Sequence, residues 1–395
     1  MKFRVTRLFT EFFESTQASG IILLFSAGMA MLLANSPLGD QFLDFWHIKL
    51  GWDLGAVHLR YSLGHWVNDG LMAIFFLLIG LEIEREFYIG ELSDIKNATL
   101  PIFAAFGGVL TPALIHFLLN RGTATQSGFG IPMATDIAFA LGILALLGSK
   151  VPLSLKIFLT AFAIIDDLIA ILMIALFYTS GFSLGYLMLA IGIFVFLLLL
   201  NRQKVHSLPI YLILGVVMWY AILQSGIHAS IAGVLLAFAL PFTDGSENSP
   251  SYRLQHFLHK PVAFLIMPIF ALANTGVQLG SSIAGFISAN TLGILAGLFV
   301  GKPLGIFLFS WLAVKTKLAN LSEGISARHL IGAGFLGGIG FTMSIFITLL
   351  AFGESQIAQD SKIAIIIGSI SAGIVGYFLL LRASPDLVEN RKEIE

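Results

Sequence analysis

The stretch AFAIIDDLIAILMIALFYT, residues 161–179, is apolar enough to lie in lipid, yet two adjacent aspartates interrupt it. A carboxylate at the centre of a bilayer costs roughly 2.5–3.5 kcal/mol on insertion scales. Charges inside membranes are for that reason usually functional, so Asp166 and Asp167 are the first candidates for a site. The competing interpretation is a structural ion pair together with one protonated aspartate.

The whole chain has the composition of a membrane protein. Of its 395 residues, 57% are hydrophobic and only 11% are charged, with a mean hydropathy of +0.90, whereas a soluble domain carries about 25% charge. Apolar runs of about 18 or more residues recur, and each predicts a transmembrane helix. The fold class is therefore an all-α polytopic membrane protein surrounded by lipid. A net charge of −1 gives no indication of a nucleic-acid partner, and the absence of cysteine excludes disulfides and thiolate ligands.

Twelve membrane spans are predicted from these apolar runs. If the N-terminus is cytoplasmic, sixteen Lys and Arg residues fall on the cytoplasmic side and four on the opposite side. Positive residues concentrate in cytoplasmic loops, so both termini are expected to be cytoplasmic. The predicted spans are about 18–35, 66–84, 99–119, 128–147, 152–178, 184–200, 208–224, 226–242, 260–276, 290–314, 327–350 and 362–381.

One segment on the predicted outer side has a different periodicity. In WHIKLGWDL, residues 46–54, apolar residues alternate with polar ones, and VHLRY, residues 57–61, alternates too. This period of two predicts a small external β-hairpin over 46–61, with a turn near Asp53–Gly55. An isolated hairpin is marginally stable in water, so it should pack on something, for which a second copy of the chain is one candidate. The alternative is an irregular amphipathic loop.

The deep charges are one lysine and three aspartates. Lys302 is the only deep cation, and charge pairing makes it the expected partner of Asp166 or Asp167. Adjacent residues on a helix point about 100° apart, so the two aspartates should have different partners. The second aspartate can then bind a small cation, and burial favours its proton when that cation is absent. This pattern predicts competition between H⁺ and a cation at one site.

Two spans carry residues that interrupt a helix. Pro132 and the pair Thr135–Asp136 interrupt the fourth span, and Thr and Asp are good N-cap residues. The eleventh span is rich in glycine, for which tight helix packing is the competing explanation. Interrupted helices in corresponding positions indicate a transporter site, and these two are the middle spans of 99–178 and 290–381. We therefore predict one transporter domain over 1–395, with these segments as inverted repeats. Asp136 would offset the positive ends of the broken helices and Lys302 the negative ends.

The motifs together resemble the bacterial NhaA-type Na⁺/H⁺ antiporters, from the first span to the last and in the same order. NhaA-type antiporters are among the proteins on which the rule about interrupted helices rests, so the resemblance and the repeat are not independent. The segments that carry the resemblance are WVNDGLMAIFFLLIGLEIERE, ATDIAFALGILALLGSKVPLSLKIFLTAFAIIDDL, SGIHASIAGV, VGKPLGI and GGIGFTMSIFI.

The resemblance implies a role for each matching residue. Asp167 and Asp166 match the cation-binding aspartates, and Thr135 lies beside the cation. Lys302 matches the lysine that pairs with Asp166 when the cation is absent, and Asp136 matches the residue that compensates the half-helices. The residues that match entry funnels or the pH response are Asp69, Glu82, Arg85, Glu86 and His228.

The resemblance also implies an activity. The family exports Na⁺ or Li⁺ in exchange for more protons than cations, across the bacterial inner membrane, as dimers stabilised by a β-hairpin. No catalytic residue and no cofactor is implied, because the ions are transported substrates. One departure concerns the pH-sensing stretch, where Gln255 replaces a glutamate and Tyr252 stands where lysine is frequent. Neither side chain titrates usefully, so strong alkaline activation is not expected here.

Three other functions compete with ion exchange as interpretations of the sequence. An intramembrane aspartyl protease would need its two aspartates on separate helices and a Gly-x-Gly-Asp run, which this sequence lacks. A cation channel needs weak, multi-site conduction rather than one occluded charge cluster. Transport of an organic solute by the same architecture stays open, as do the preference among Na⁺, Li⁺ and K⁺, the stoichiometry, and whether Lys302 or Asp166 carries the second proton.

Overall fold

A computed structural model describes residues 16–383, apart from residues 56, 180, 244, 246, 247, 279–286 and 323. This part of the chain is mostly helical, since a helix satisfies its backbone hydrogen bonds internally, as lipid requires. A 3-10 helix, Gln126–Met133, precedes α5. The helices are α1 Thr16–Ala34, α2 Gly39–His47, α3 Leu63–Tyr88, α4 Ile95–Leu119, α5 Ile137–Leu146, α6 Leu153–Phe177, α7 Leu184–Arg202, α8 Leu208–Ser225, α9 Ile231–Ala239, α10 Pro250–Asn274, α11 Ala289–Lys315, α12 Ala327–Gly337, α13 Phe341–Phe352 and α14 Gln356–Ala383.

Nine helices in the described ranges are long and apolar enough to cross a membrane, or eleven if two bent pairs each count as one span. The bent pairs are α1 with α2, at 114°, and α12 with α13, at 46°. The chain is therefore a multi-pass membrane protein, and eleven of the twelve predicted spans have a counterpart of this kind. The count of twelve stays a prediction.

Two predicted spans differ from the structure. The eighth, 226–242, contains only the nine-residue helix α9, because Gly226 ends α8 with a φ of 86° and Leu240 is already extended. The ninth was predicted to begin at residue 260, but α10 begins at Pro250. Its start is explained by Ser249, whose hydroxyl accepts a hydrogen bond from the Tyr252 N–H at 3.2 Å and caps the first turn.

Three long helices contain a π-helical turn, which is a wider turn that is frequent at functional sites. These turns are Trp66–Leu71 in α3, Val262–Ile266 in α10 and Gly297–Gly301 in α11. The first turn contains Asp69, and the third ends immediately before Lys302. Two of the charges singled out in the sequence are thus positioned by irregular helical geometry.

The predicted hairpin is confirmed by two antiparallel strand pairs: β1 Lys49–Leu50 pairs with β4 Tyr61–Ser62, and β2 Asp53–Leu54 pairs with β3 Val57–His58. It packs on α8 of its own chain. The His58 N–H donates to the Tyr220 hydroxyl at 3.2 Å, and the Gln224 amide donates to the Tyr61 hydroxyl at 3.1 Å. These contacts supply the support that an isolated hairpin lacks.

The chain divides into two compact units. The first unit comprises Met1–Ile22, Glu91–Ala170 and Gly280–Glu395, and it includes α4, α5, most of α6, and α11 to α14. The second unit comprises Leu23–Gly90 and Ile171–Leu279, and it includes α2, the hairpin, α3 and α7 to α10. Most of both predicted repeat segments belongs to the first unit. The inverted-repeat relation between them stays a prediction.

Two short non-helical segments meet inside the first unit. The first break, residues 134–136, separates the 3-10 helix from α5, and the second break, residues 338–340, separates α12 from α13. The Asp136 N–H donates to the Ile339 carbonyl at 2.6 Å. A Cβ added to Gly340 would lie 3.1 Å from the Ala134 carbonyl oxygen, so glycine permits this approach.

Candidate ion-binding site

The helix α6 carries Asp166 and Asp167 into the interior of the first unit, where their exposed fractions are 0% and 1%. Both lie near the middle of this 25-residue apolar helix, far from either of its ends. Since burying an isolated charge is costly, each carboxylate requires a compensating group. The compensating groups come from α11 and from the first break.

Lys302 supplies the compensating charge for Asp166. Its ammonium lies 3.0 Å from Oδ1 and 2.9 Å from Oδ2 of Asp166, and both side chains are fully buried. The ammonium also donates to the Met133 carbonyl at the C-terminal end of the 3-10 helix. The charge of Asp167 acts on Lys302 as well. The structure thus places the only deep lysine predicted from the sequence on Asp166.

Asp136 caps two helices at once. Its carboxylate accepts from the Phe139 N–H of α5 at 3.0 Å, and from the N–H and hydroxyl of Thr342 in α13 at 3.2 and 2.5 Å. Helix N-termini carry unsatisfied N–H donors and positive partial charge, which a carboxylate stabilises. One buried carboxylate therefore serves the starts of both α5 and α13.

The opposite helix ends are satisfied by hydroxyls and by the lysine. The Thr135 hydroxyl donates to the Gly337 carbonyl at 2.8 Å, and the Ser344 hydroxyl donates to the Ile131 carbonyl at 2.6 Å. Thr135 also hydrogen-bonds Asp166 through its backbone. Carboxylate, hydroxyl and carbonyl oxygens therefore converge around Asp166 and the two breaks. Oxygen donors of this kind suit a hard cation.

The sequence pattern of the Na⁺/H⁺ antiporter 1 family matches residues 10–380. The chain belongs to this family. Its members are transporters, and the resemblance drawn from the motifs is confirmed.

Relatives of the antiporter match it along 95% of its length. It is 57% identical over 378 residues to the Na⁺/H⁺ antiporter NhaA of Flavobacterium psychrophilum, covering 95% of this chain and 96% of that protein. It is 55% identical over 382 residues to NhaA of Dechloromonas aromatica, at 95% and 96% coverage. It is 47% identical over 382 residues to NhaA of Escherichia coli O1:K1 / APEC, at 95% and 98% coverage.

In the second unit of the antiporter, Asp69 lies between two histidines. His228 Nδ1 is 3.4 Å from Asp69 Oδ1, and His65 Nδ1 is 3.4 Å from Oδ2. The Trp219 indole donates to the Asp69 carbonyl at 2.8 Å. The predicted residues Asp69 and His228 are thus in contact. His65 was missed, although its position four residues before Asp69 on a helix was a usable signal.

The candidates Glu82, Arg85 and Glu86 of the antiporter lie along α3 beside α10. Glu82 Oε1 is 3.9 Å from His259 Nδ1, and the Arg85 guanidinium carbon is 5.6 Å from the centre of the Tyr252 ring. Glu86 and Gln255 are half-buried on the same two helices. Glu84, which no sequence pattern singled out, is only 6% exposed, and its Oε2 has no hydrogen-bond partner within the described part of the chain.

Two further residues at the centre of the first unit were not identified from the sequence. The Phe162 ring lies beside the Lys302 ammonium, 5.8 Å from its nitrogen. The Ser369 hydroxyl of α14 accepts from the Phe341 N–H at 3.1 Å, so it satisfies another donor at the start of α13. In the sequence, a phenylalanine and a serine within apolar helices cannot be distinguished from ordinary packing residues.

Proposed function

We propose that this Na⁺/H⁺ antiporter exchanges its ions at the group formed by Asp166, Asp167 and Lys302, with Thr135 beside the cation. Na⁺ or Li⁺ leaves the cell and protons enter, by alternating access. Asp167 binds the cation, and Asp166 joins it once the ammonium of Lys302 has withdrawn. These ions are transported substrates, and no resident cofactor takes part.

The observation that carries this proposal is the fully buried pair of Asp166 and Lys302, with contacts of 2.9 and 3.0 Å. A buried carboxylate must be neutralised by a proton, an ammonium or a metal cation, because the unpaired charge is too costly. A cation that approaches Asp166 and Asp167 therefore competes with the protonated lysine and with protons on the carboxylates. Because the metal cation and the protons occupy the site in turn, binding of one requires release of the other, and the result is exchange.

Electrogenic exchange follows from the same balance of charge. One Na⁺ displaces a proton from the Asp166–Lys302 pair and another from Asp167, so more protons than cations move in each cycle. The excess charge allows the membrane potential to drive transport, at roughly 2.3 kcal/mol per elementary charge for each 100 mV. This gives the antiporter a role in Na⁺ and pH homeostasis.

The architecture that we propose has twelve spans, with 99–178 and 290–381 as inverted repeats and the two breaks at their centre. The dual cap by Asp136 and the contact of Lys302 with the Met133 carbonyl support this architecture. Half-helices that meet at a break have positive N-terminal ends, which a carboxylate stabilises, and negative C-terminal ends, which an ammonium stabilises. Rocking of this core against the remaining spans would open the site to each side in turn.

We also place the chain in the bacterial inner membrane as a homodimer, with both termini in the cytoplasm. The hairpin at 46–61 is the proposed contact between protomers, because Ile48, Leu50 and Trp52 leave 50%, 51% and 63% of their surface exposed. Such apolar side chains on an extramembrane hairpin fit a second copy of the same element.

The pH response is assigned to Asp69 with His228 and to Glu82, Arg85 and Glu86. The group at Asp69 contains a carboxylate with two imidazoles 3.4 Å from it, and each of these side chains can bind or release a proton. Gln255 and Tyr252 cannot take over the role of titrating residues, so activation at alkaline pH should be less steep than in relatives with ionisable residues there.

The test is Na⁺-induced collapse of a pH gradient in proteoliposomes. Wild type should respond to Na⁺ or Li⁺, and Asp167→Asn should lose the response, because its amide cannot provide a negative charge for the ion. The matched control is Asp44→Asn, at an exposed position on α2, which should exchange like wild type. Full exchange by Asp167→Asn would contradict the site, and a wild type without Na⁺ or Li⁺ dependence would contradict the function.

A further inference from the structure

The helix α2 follows the first predicted span but runs in a different direction. That span was predicted to end at about residue 35, and α2 begins four residues after α1 ends, at an angle of 114° to it. A helix that crosses a bilayer is tilted from the bilayer normal by about 20° on average. A helix bent by 114° from such a span runs close to the plane of the bilayer. Since the connection is so short, α2 lies at the level where α1 leaves the lipid.

The bend is held by hydrogen bonds to the segment that follows α10. The Asn35 amide donates to the Val277 carbonyl at 2.7 Å, and the Gln278 amide donates to Asp40 Oδ1 at 3.1 Å. One of these bonds lies on each side of the bend. A Cβ added to Gly39 would collide with the last carbonyl oxygen of α1, so glycine permits the tight turn. The direction of α2 is therefore fixed within the second unit.

The side chains around α2 point to three sides. One side packs on the protein, since a Cβ added to Gly276 would lie 2.9 Å from a ring carbon of Phe42. Another side carries Leu38, which precedes the helix, and Phe45, which leave 55% and 48% of their surface exposed. They are seven residues apart, or about two turns, so they lie on the same side. The remaining side is polar and exposed, with Asp40, Gln41, Asp44 and His47.

The exposed apolar side of α2 has the position that a bilayer surface requires. Successive residues on a helix are about 100° apart, so Phe45 points about 100° from Asp44 and about 140° from Asp40. A helix that lies at a bilayer surface keeps its charged side in water and buries its apolar side at the boundary of the acyl chains. The Trp46 ring, 5.1 Å from the Phe45 ring between centres, is of a residue type enriched at this level.

The charges of α2 limit the kind of surface that it can bind. Its carboxylates are Asp40 and Asp44, and it contains no lysine or arginine. The attraction to anionic headgroups on which basic surface helices depend is therefore absent. A protein partner is a poorer match, because two half-exposed side chains provide far less than the roughly 800 Å² per partner that a stable interface buries. The acyl-chain boundary of a leaflet, including one of neutral lipids, fits this side best.

We propose that α2 is an interfacial anchor, in which Leu38 and Phe45 enter the acyl-chain boundary of the leaflet on the hairpin side while Asp44 stays in water. Strand β1 begins at Lys49, two residues after the end of α2. The anchor therefore sets the height of the hairpin above the lipid. This inference concerns a lipid-binding surface and does not depend on the ion-binding site.

The test uses single cysteines, because the chain contains none of its own. The full-length variants Leu38→Cys, Phe45→Cys and Asp44→Cys each carry a nitroxide spin label and are placed in nanodiscs of phosphatidylcholine. Power saturation compares the access of oxygen, which dissolves in lipid, with that of a water-soluble nickel chelate. Oxygen should have the greater access at positions 38 and 45. The nickel chelate should have it at position 44, the matched control, so the ratio reverses between neighbouring residues.

Two results at positions 38 and 45 would overturn the inference. Greater access of the nickel chelate would place this side of α2 in water, and labels that neither reagent reaches would show that protein covers it. Adding phosphatidylglycerol to the nanodiscs should leave the ratios unchanged. Labels that enter lipid only with this anionic headgroup would contradict binding through apolar side chains. Because the measurement does not involve transport, it is independent of the test of the proposed function.

Discussion

The first unit contains the Asp166–Lys302 pair, and the second contains the Asp69 cluster, which consists of Asp69, His65 and His228. Each places a carboxylate beside a basic side chain, but their geometries differ. Lys302 contacts both oxygens of Asp166 at 3.0 Å or less, and neither side chain is exposed. Asp69 is 3.4 Å from each imidazole, and the His65 side chain is 37% exposed. Electrostatic interactions strengthen with burial and short distance and weaken in water. The first group should therefore control whether exchange occurs, and the second the pH at which it occurs.

The largest effect is expected from Lys302→Met. It should abolish exchange and lower the free energy of unfolding by about 3–5 kcal/mol, because Asp166 is left buried without a counter-charge. The double variant with Asp166→Asn should regain most of that stability but no exchange. Denaturant unfolding in detergent and proteoliposome transport measure the two quantities. A double variant as unstable as the single one would contradict the comparison.

The next effect concerns the shared cap. Asp136→Ala removes an acceptor from the N-termini of α5 and α13, and it should lower the free energy of unfolding by about 1–3 kcal/mol. Asp136→Asn keeps one acceptor oxygen and should lose less. The same unfolding assay checks both variants. Equal losses would mean that the negative charge, rather than the hydrogen bonds, is the important property.

Smaller effects are expected at the Asp69 cluster. His65→Ala and His228→Ala should each move the midpoint of the pH profile while changing the free energy of unfolding by no more than about 1 kcal/mol, because each contact is 3.4 Å long and each histidine is partly exposed. His58→Ala is the matched control, because His58 forms a similar 3.3 Å contact with Asp53 on the exposed hairpin. If either cluster variant abolished exchange, the Asp69 cluster would control whether exchange occurs, and the contrast with the Asp166–Lys302 pair would be wrong.

The smallest effect is expected from Glu84→Gln. The Glu84 side chain is buried, and among the residues that the structure describes none hydrogen-bonds its Oε2, so its ionised form is poorly solvated. An amide of the same shape should leave exchange unchanged and raise the melting temperature slightly. The gain should be larger at pH 9 than at pH 6, because the ionised carboxylate pays more for burial than the protonated one does. A lower melting temperature at both pH values would show that Glu84 has a favourable partner.

The fold was predictable from sequence where one physical constraint acted alone. Continuous apolar runs indicated the long helices, and alternation over 46–61 indicated the hairpin, because each pattern follows from backbone geometry. The eighth span was different. Its 17-residue apolar window, 226–242, hides a turn at Gly226 and an extended Leu240, so length alone overestimated the helix. The start of α10 was signalled by Ser249 and Pro250, a cap and first-turn pair within a polar stretch.

The candidate site was predictable in the same sense. A single deep lysine had to meet a deep aspartate, and helix geometry required different partners for Asp166 and Asp167. The identity of the paired aspartate came from the family resemblance. Phe162 and Ser369 could not be found, since their importance depends on which helices pack against them. The π-helical turns were equally hidden, because no residue type distinguishes such a turn from ordinary helix.

The π-helical turn Gly297–Gly301 has a consequence for the direction in which Lys302 points. A π turn accommodates one residue more than an α turn, so every residue after it is rotated by about 100° from its place in an uninterrupted α-helix. Lys302 is the first residue after that turn. The angular phase of the ammonium is therefore set by the number of residues that precede it. A chain with the same lysine but one residue fewer before it would point that charge away from Asp166.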